Sequence, residues 1–348
     1  MYKKIIRPIF FLFSPERIHH FTVSCLKFTR YIPGLKPLLR AIFTVKDPVL
    51  EREVLGMKFP NPVGLAAGFD KNAEVCNEMA CLGFGFLEVG TVTPKGQPGN
   101  PKPRLFRLVN DRAIINRMGF NNLGVENAVR NLKKANPKLI IGGNLGKNTV
   151  TPNDKAVGDY LKLFRSLYEY VDYFVINVSC PNIANLRDLQ DNGLKEILNT
   201  LIEFRRGQTP YRPIMLKISP DLTNEQIDNM IDTMVECKID GIVATNTTTS
   251  REGLTTSAAQ VERIGNGGLS GAPLTKRSIE IVKYIHTKTE GRFPIIGVGG
   301  IMSVEDALAM LDAGACLIQV YSGFIYNGPA FVKDICKALI NKEQKKSK

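Results

Sequence analysis

Histidine is scarce in this chain, with three among 348 residues, and none of the seven cysteines (25, 76, 81, 180, 237, 316 and 336) falls in a Cys-x-x-Cys pair. An odd, scattered set of thiols with so few imidazoles offers little to a disulfide framework or a zinc cluster, so a reducing setting and no metal are expected. Long hydrophobic runs are missing as well. The longest near the start, Ile5 to Phe13, is broken by Arg7 and Pro8. It falls well short of the ~20 residues of a membrane span, and no small-residue cleavage site follows to make it a signal peptide. Gly297-Val-Gly-Gly300 does not satisfy the Gly-x-Gly-x-x-Gly dinucleotide fingerprint, and no Gly-x-x-x-x-Gly-Lys-Ser/Thr loop occurs. Ser/Gly linkers, fixed-period repeats and low-complexity tracts are lacking too, apart from a lysine-rich tail. With 44% hydrophobic and 23% charged residues, a disordered, collagen-like or polytopic membrane chain is excluded.

What the chain has in excess is positive charge. Of a net +13, residues 1–46 carry +8, from nine Lys/Arg against the single acid Glu16. A basic head suits nucleic acid or an anionic membrane surface, and periodicity bears on the choice. From Ser14, a candidate N-cap followed by Pro15, apolar Ile18, Phe21, Cys25 and Phe28 share one helical face, and Arg17, His20, Ser24 and Lys27 another. After Tyr31-Ile-Pro-Gly34, a second apolar stripe runs through Leu35, Leu38, Leu39, Ile42 and Phe43. Two short amphipathic helices with basic edges fit an interfacial hairpin on a membrane; the alternative is a pair of helices capping the main core. No interleaving of aromatic and basic residues suggests single-stranded nucleic acid as a partner.

Eight short β-branched, near-continuously apolar runs follow: Val63–Ala67, Phe86–Val89, Leu139–Asn144, Tyr173–Val178, Ile214–Ile218, Gly241–Thr245, Ile295–Val298 and Cys316–Val320. Continuous rather than alternating hydrophobicity marks strands buried on both faces. Helix-like stretches such as Asn224–Glu236, Thr275–His286 and Ser303–Ala313 separate them, which predicts an α/β fold, a (β/α)8 TIM barrel with an N-terminal amphipathic helical extension. An open doubly wound sheet is the structural alternative. Arg104–Val109 and Ala113–Asn116 read as an inserted antiparallel hairpin.

Active sites of such barrels form at the carboxyl ends of the strands, and here those ends are polar. They read Ala66-Ala-Gly-Phe-Asp-Lys71, Gly90-Thr91, Asn144-Leu-Gly-Lys-Asn148, Asn177-Val-Ser-Cys-Pro-Asn182, Lys217, Thr245-Asn-Thr-Thr248, Gly299-Gly300 and Tyr321-Ser-Gly323. Glycines after strands seven and eight suit a phosphate bound by backbone N–H groups, or else only tight turns. Lys217 closes an apolar strand and should face a ligand that develops negative charge, unless it forms a structural ion pair. Cys180, between two asparagines, is a candidate base or nucleophile. No histidine or carboxylate pair occupies another strand end, which leaves no Ser-His-Asp triad or glycosidase pair. Proton abstraction coupled to a redox cofactor remains.

Along nearly its whole length the sequence resembles the dihydroorotate dehydrogenase family. The resemblance rests on Leu65–Lys71, Gly90-Thr-Val-Thr-Pro94, Lys102-Pro-Arg-Leu-Phe-Arg107, Ile115-Asn-Arg-Met-Gly-Phe-Asn-Asn122, Asn177–Asn182, Ala244–Thr248, Gly267-Gly-Leu-Ser-Gly271, Ile296–Ile301 and Tyr321–Gly323. It implies FMN bound by Ala67, Gly68, Phe69, Asp70, Lys71, Thr91, Asn144, Asn177, Lys217, Thr245, Gly271, Gly300, Tyr321 and Ser322. Dihydroorotate would be bound by Lys71, Asn116, Arg117, Met118, Gly119, Phe120, Asn177, Asn182, Asn246 and Thr247. Cys180 would remove the C5 proton as hydride leaves C6, in de novo pyrimidine (UMP) synthesis. The extension and several motifs look like the membrane-associated, quinone-reducing class, in which His19 and Arg107 match positions lining an apolar quinone tunnel. That class implies a monomer, peripheral on the cytoplasmic side of the cell membrane and bound to its anionic surface, with residues 1–46 as extension and 47–348 as catalytic barrel. One residue departs: the quinone class usually carries Ser at the position of Cys180, and Cys is typical of soluble classes that reduce fumarate or NAD. A soluble-class enzyme, a dihydrouridine synthase and a barrel kept only as a membrane scaffold are the rival readings.

Overall fold

The computed structural model describes residues 1–183, 186–187 and 193–346. Eight parallel strands close a barrel: β1 (Val63–Leu65), β2 (Phe86–Val92), β3 (Ile141–Leu145), β4 (Tyr173–Asn177), β5 (Ile214–Ile218), β6 (Gly241–Ala244), β7 (Ile295–Val298) and β8 (Leu317–Val320). Each pairs with the next, and β8 pairs with β1. All eight runs read from the sequence are therefore strands of one barrel. Every residue in them is buried, which is why their sequences do not alternate. The inner core includes Phe86, Tyr173, Val175, Met215, Val243, Ile296 and Leu317. Gly64 makes room for it: a Cβ there would sit 2.3 Å from the Phe86 ring.

Helices cover the outside of the barrel. Asn224–Glu236 forms over the expected range, started by a reciprocal capping box between Thr223 and Gln226. Thr275–Lys288 and Val304–Asp312 lie within a few residues of expectation, the latter capped by Ser303. The inserted hairpin is present as Leu105–Leu108 paired with Ala113–Asn116, but a third strand, Gly268–Gly271, joins its other edge. A small antiparallel sheet thus stands at the mouth of the barrel.

Residues 1–46 hold α1 (Arg7–Phe11), α2 (Pro15–Phe28) and α3 (Leu35–Phe43); α2 lies across the same end, and α3 ends beside Gly83, in the loop that leads into β2. Ser14 occupies the N-cap position, though its hydroxyl makes no capping bond. The apolar face read from α2 is not the docked one. Phe21, Cys25 and Phe28 are exposed, and Val23 and Leu26 pack on the barrel instead. Leu38 and Ile42 of α3 are exposed too, and eleven of the seventeen exposed large hydrophobics among the described residues fall in this extension.

Polar contacts dock the extension. Arg104, almost wholly buried, donates to Glu16 at 2.8 Å and to the carbonyls of Pro98 and Asn100. Glu78, also buried, receives Arg30 at 2.9 Å and Lys36 at 2.8 Å. Burial works to raise the Glu16 pKa, but the Arg104 hydrogen bond and the charges of Arg104, Lys102 and His20 outweigh it and hold the pKa below the ordinary value. A depressed carboxylate stabilises the docked state above the unfolded pKa of about 4.3, and that contribution is lost as pH falls through the folded value. Glu16→Gln is expected to cost the docked helix about 2 kcal/mol. Limited proteolysis between residues 14 and 46 should then run roughly thirtyfold faster at neutral pH. An unchanged rate would show that the Glu16–Arg104 pair does not hold α2.

Candidate active site

A cavity of about 520 Å³ occupies the carboxyl ends of the strands and continues up under α2. That volume suits a cofactor-sized ligand. Its lower walls are Ala66 to Asn72, Thr91, Asn177, Cys180, Lys217, Thr245 to Thr247, Gly299, Gly300 and Tyr321 to Gly323. The small sheet and its loop add Asn116, Met118 to Leu123 and Ser270, and α2 closes the top with Glu16, His19, His20 and Val23. Most of the polar strand ends singled out in the sequence therefore meet in one space.

Lys217 reaches it from β5, nearly buried, with its ammonium 3.8 Å from a carboxylate oxygen of Glu88. No hydrogen-bond acceptor lies within its reach among the described residues, so its N–H groups are available to a ligand. The ion pair is present, and the side chain also lines the cavity. Asn121 Oδ1 is likewise buried without a partner. Lys71 donates to the Gly68 carbonyl at 2.8 Å; burial first, and then the charge of Arg104, push its pKa down to about 8.

The amides form a connected set. Asn177 Nδ2 donates to Thr91 Oγ1 at 3.1 Å and to Asn144 Oδ1 at 3.2 Å, and its own Oδ1 accepts from Asn246 Nδ2 at 3.2 Å. Asn182 Nδ2 donates to Asn116 Oδ1 at 3.1 Å, and Asn182's carbonyl accepts from Asn100 at 3.2 Å. Cys180 sits among them with 8% exposure. Burial pushes its thiol up to about 11, against the opposing pull of the Asn182 N–H and the charges of Arg187 and Lys217. Phe120, buried in the loop that faces it, holds a left-handed backbone at φ +51°, the kind of sparsely populated conformation that gathers at ligand sites.

At the far end, the backbones of Gly299, Gly300, Ser322 and Gly323 surround one corner, and Ser322 shares a 2.9 Å hydroxyl contact with Ser270. Gly300, at φ +72°, has no space for a side chain: a Cβ would lie 2.3 Å from the Thr275 nitrogen. Toward α2 the lining turns aromatic, with Phe69 edge-on to His19 at 5.2 Å and to Tyr321 at 6.0 Å. Burial, then the charges of Lys71 and His20, push the His19 pKa down to about 3, so its imidazole is neutral through the physiological range.

Four residues named from the sequence stand outside this lining. Asn144 is fully buried behind Thr91 and Asn177. Gly271 pairs with Ala113 in the small sheet. Arg117 stacks over Phe106 at 4.6 Å and donates to the carbonyls of Pro103 and Asn266. Arg107 turns toward the extension, its guanidinium 4.4 Å above the Phe11 ring and bonded to the carbonyls of Phe10 and Phe13. Asp70 reaches the lining, but its carboxylate accepts the backbone N–H groups of Glu74 and Val75, both at 2.8 Å. The sequence reading passed over Glu88, Gln319 and Ser270. Glu88 carried the same signal as Lys217, one charge in an apolar strand.

Comparison with known proteins agrees with this geometry. A family model described as dihydroorotate dehydrogenase matches residues 49–342. The dihydroorotate dehydrogenase (quinone) of Christiangramia forsetii is 56% identical over 343 residues, covering 98% of this chain and 99% of that one. The protein of the same name from a Shewanella strain is 46% identical over 343 residues, with 97% and 99% covered. Among solved structures, the DHODH of Eimeria tenella in complex with ferulenol superposes with a TM-score of 0.86 at 34% identity, covering 96% of this chain and 92% of that one. The ligand-free form from the same organism gives 0.83 at 36% identity, with 93% and 94% covered.

Proposed function

The chain belongs to the dihydroorotate dehydrogenase family, and from that premise we propose that it oxidises (S)-dihydroorotate to orotate with FMN and passes the electrons to a membrane quinone, in de novo pyrimidine synthesis. One observation carries this reading: Cys180, Lys71, Lys217 and the linked asparagines share a single cavity that continues under α2. The residues present fit FMN. Gly299, Gly300, Ser322 and Gly323 offer backbone donors at one corner for a phosphate, and Ala67, Gly68, Thr91, Thr245 and Tyr321 line the space for the ring system. The Lys217 ammonium, with its hydrogen-bond donors unoccupied, suits an edge that gains negative charge. When bound, FMN supplies the hydride acceptor for C6 of the substrate and the electron carrier to the quinone.

The protein's own groups do the rest. Lys71 and the asparagines hold a planar carboxylated pyrimidine by its carboxylate and amide edges. Cys180 Sγ takes the C5 proton. The neutral His19, Val23 and Phe69 form an apolar approach for a quinone from the side of α2. We assign residues 1–46 to this entrance and to peripheral attachment at the cytoplasmic face of the membrane. Their exposed apolar side chains and +8 charge support that, and no helix among the described residues is long and apolar enough to cross a bilayer.

The test is an anaerobic one. Dihydroorotate should bleach the bound flavin, and a short-chain quinone should restore its colour where fumarate and NAD do not. Restoration by fumarate or NAD would move the chain to a soluble class, and a colourless protein that takes up no FMN would remove the reading. Lys217→Ala is expected to lower FMN affinity or slow flavin reduction by roughly 10²-fold. Dialysis followed by stopped-flow absorbance separates the two, and normal values for both would end its assigned role.

A further inference from the structure

We propose that Glu88 is a positioning residue which, from below the cavity, sets the donor and acceptor directions of the amides that meet the flavin and substrate. The inference deepens the function proposed above and rests on it. Glu88 is fully buried on β2, and both its oxygens accept. Oε1 takes Asn144 Nδ2 at 2.7 Å, and Oε2 takes Gln319 Nε2 at 2.6 Å. The Lys217 ammonium, 3.8 Å from Oε1, supplies the opposite charge that a carboxylate needs at this depth.

The two ends of an amide side chain are nearly the same shape, so its direction is decided by its partners. An ionised carboxylate only accepts. Asn144 must therefore give its NH2 to Glu88 and turn its carbonyl away, where it accepts Thr91 Oγ1 at 2.6 Å and Asn177 Nδ2 at 3.2 Å. With its NH2 committed there, Asn177 presents its carbonyl to Asn246, whose Nδ2 donates at 3.2 Å. The far end is fixed independently and in the same sense, because the Thr247 N–H donates to Asn246 Oδ1 at 2.9 Å. Asn144 is held between the two ends: Asn177 Nδ2 meets its carbonyl at 3.2 Å, and Glu88 takes its NH2 by the shorter, charge-assisted bond of 2.7 Å. Glu88 is the charged end of the chain, and it sets the direction of Asn144 and of the Thr91 hydroxyl at the cavity wall from below. The same carboxylate balances Lys217 without occupying its hydrogen-bond donors.

The arrangement can be exchanged between the two residues. In Glu88→Gln the facing amides lose one acceptor and Lys217 loses its counter-charge. In Asn144→Asp two carboxylates meet at hydrogen-bond distance. Together, E88Q/N144D returns a single carboxylate to the same place. The amide then at position 88 donates to the carboxylate at position 144 and accepts from Gln319, and that carboxylate still accepts from Thr91 and Asn177. The measurement is made on full-length protein at pH 7.5. FMN dissociation is read by fluorescence on dilution, and orotate affinity by the shift it causes in flavin absorbance. Each single variant is expected to weaken FMN binding at least tenfold, with the double variant returning to within about threefold of the parent. Asn144→Asp alone should also recover as pH is lowered, because two carboxylates this close cannot both ionise. Parent-like binding by Glu88→Gln, or a double variant no better than the weaker single, overturns the inference. Melting temperatures identify any variant that has not folded, and the E88Q and double variants decide the matter without N144D. A parent protein that binds no FMN would overturn the function itself, and this inference with it, and is distinguished by being seen before any substitution.

Discussion

Replacing Cys180 by alanine is expected to slow the bleaching of bound flavin by dihydroorotate about 10²- to 10⁴-fold, the usual contribution of a positioned general base. Flavin content and melting temperature should stay near the parent's, because the lost atom is a single sulfur at the cavity wall rather than a load of packed hydrocarbon. Cys180→Ser keeps a proton acceptor of the same shape and is expected to lose rate at neutral pH while retaining flavin. An unchanged rate in either variant would take Cys180 out of the base role.

The pH dependence separates two groups. Burial pushes the Cys180 thiol up to about 11, so at neutral pH the base form is a minority that grows about tenfold with each pH unit. The logarithm of the flavin-reduction rate at saturating dihydroorotate should rise with pH from 6 to 9 without a plateau. Lys71, pushed down to about 8 by burial and Arg104, loses its charge over the upper part of that range. Its effect should appear in KM, which is expected to rise above pH 8 as the partner of the substrate carboxylate is neutralised. A rate that levels off below pH 7 would mean that another group removes the proton.

The barrel was legible because its strands are buried on both sides, and continuous apolar runs record that directly. The small sheet was half legible: its hairpin carries alternation and β-branched residues, whereas Gly268-Leu-Ser-Gly271 carries neither and is a strand only because Ala113–Asn116 offers it an edge. Side-chain direction was the harder matter. The face of α2 holding Phe21, Cys25 and Phe28 is amphipathic by spacing, but spacing does not say which of two apolar faces meets protein. Arg107 shares a motif with residues of the cavity and yet points to Phe11. Glu88 was not legible because it stands third in its strand, away from the polar strand ends that mark the cavity.

Deleting residues 1–46 should divide the reaction in two. Dihydroorotate should still bleach the flavin, because none of the helices in this segment contributes a buried residue and the barrel strands close without them. Quinone-dependent turnover should collapse, with kcat/KM for a short-chain quinone lower by about 10²-fold or more, equivalent to ~2.7 kcal/mol of transition-state stabilisation. The cause is the loss of His19, Val23 and Glu16 from the upper wall, which turns an apolar passage into an open, wet mouth above Phe69 and Tyr321. The same deletion should abolish sedimentation with anionic lipid vesicles, whereas raising salt on the full-length protein should weaken it without touching flavin reduction. The informative comparison is between the two half-reactions in one preparation. A truncated protein that loses flavin reduction as well would show that the extension supports the barrel itself. One that keeps full quinone turnover would show that the acceptor enters elsewhere, and Cys180 would then be the better guide to class.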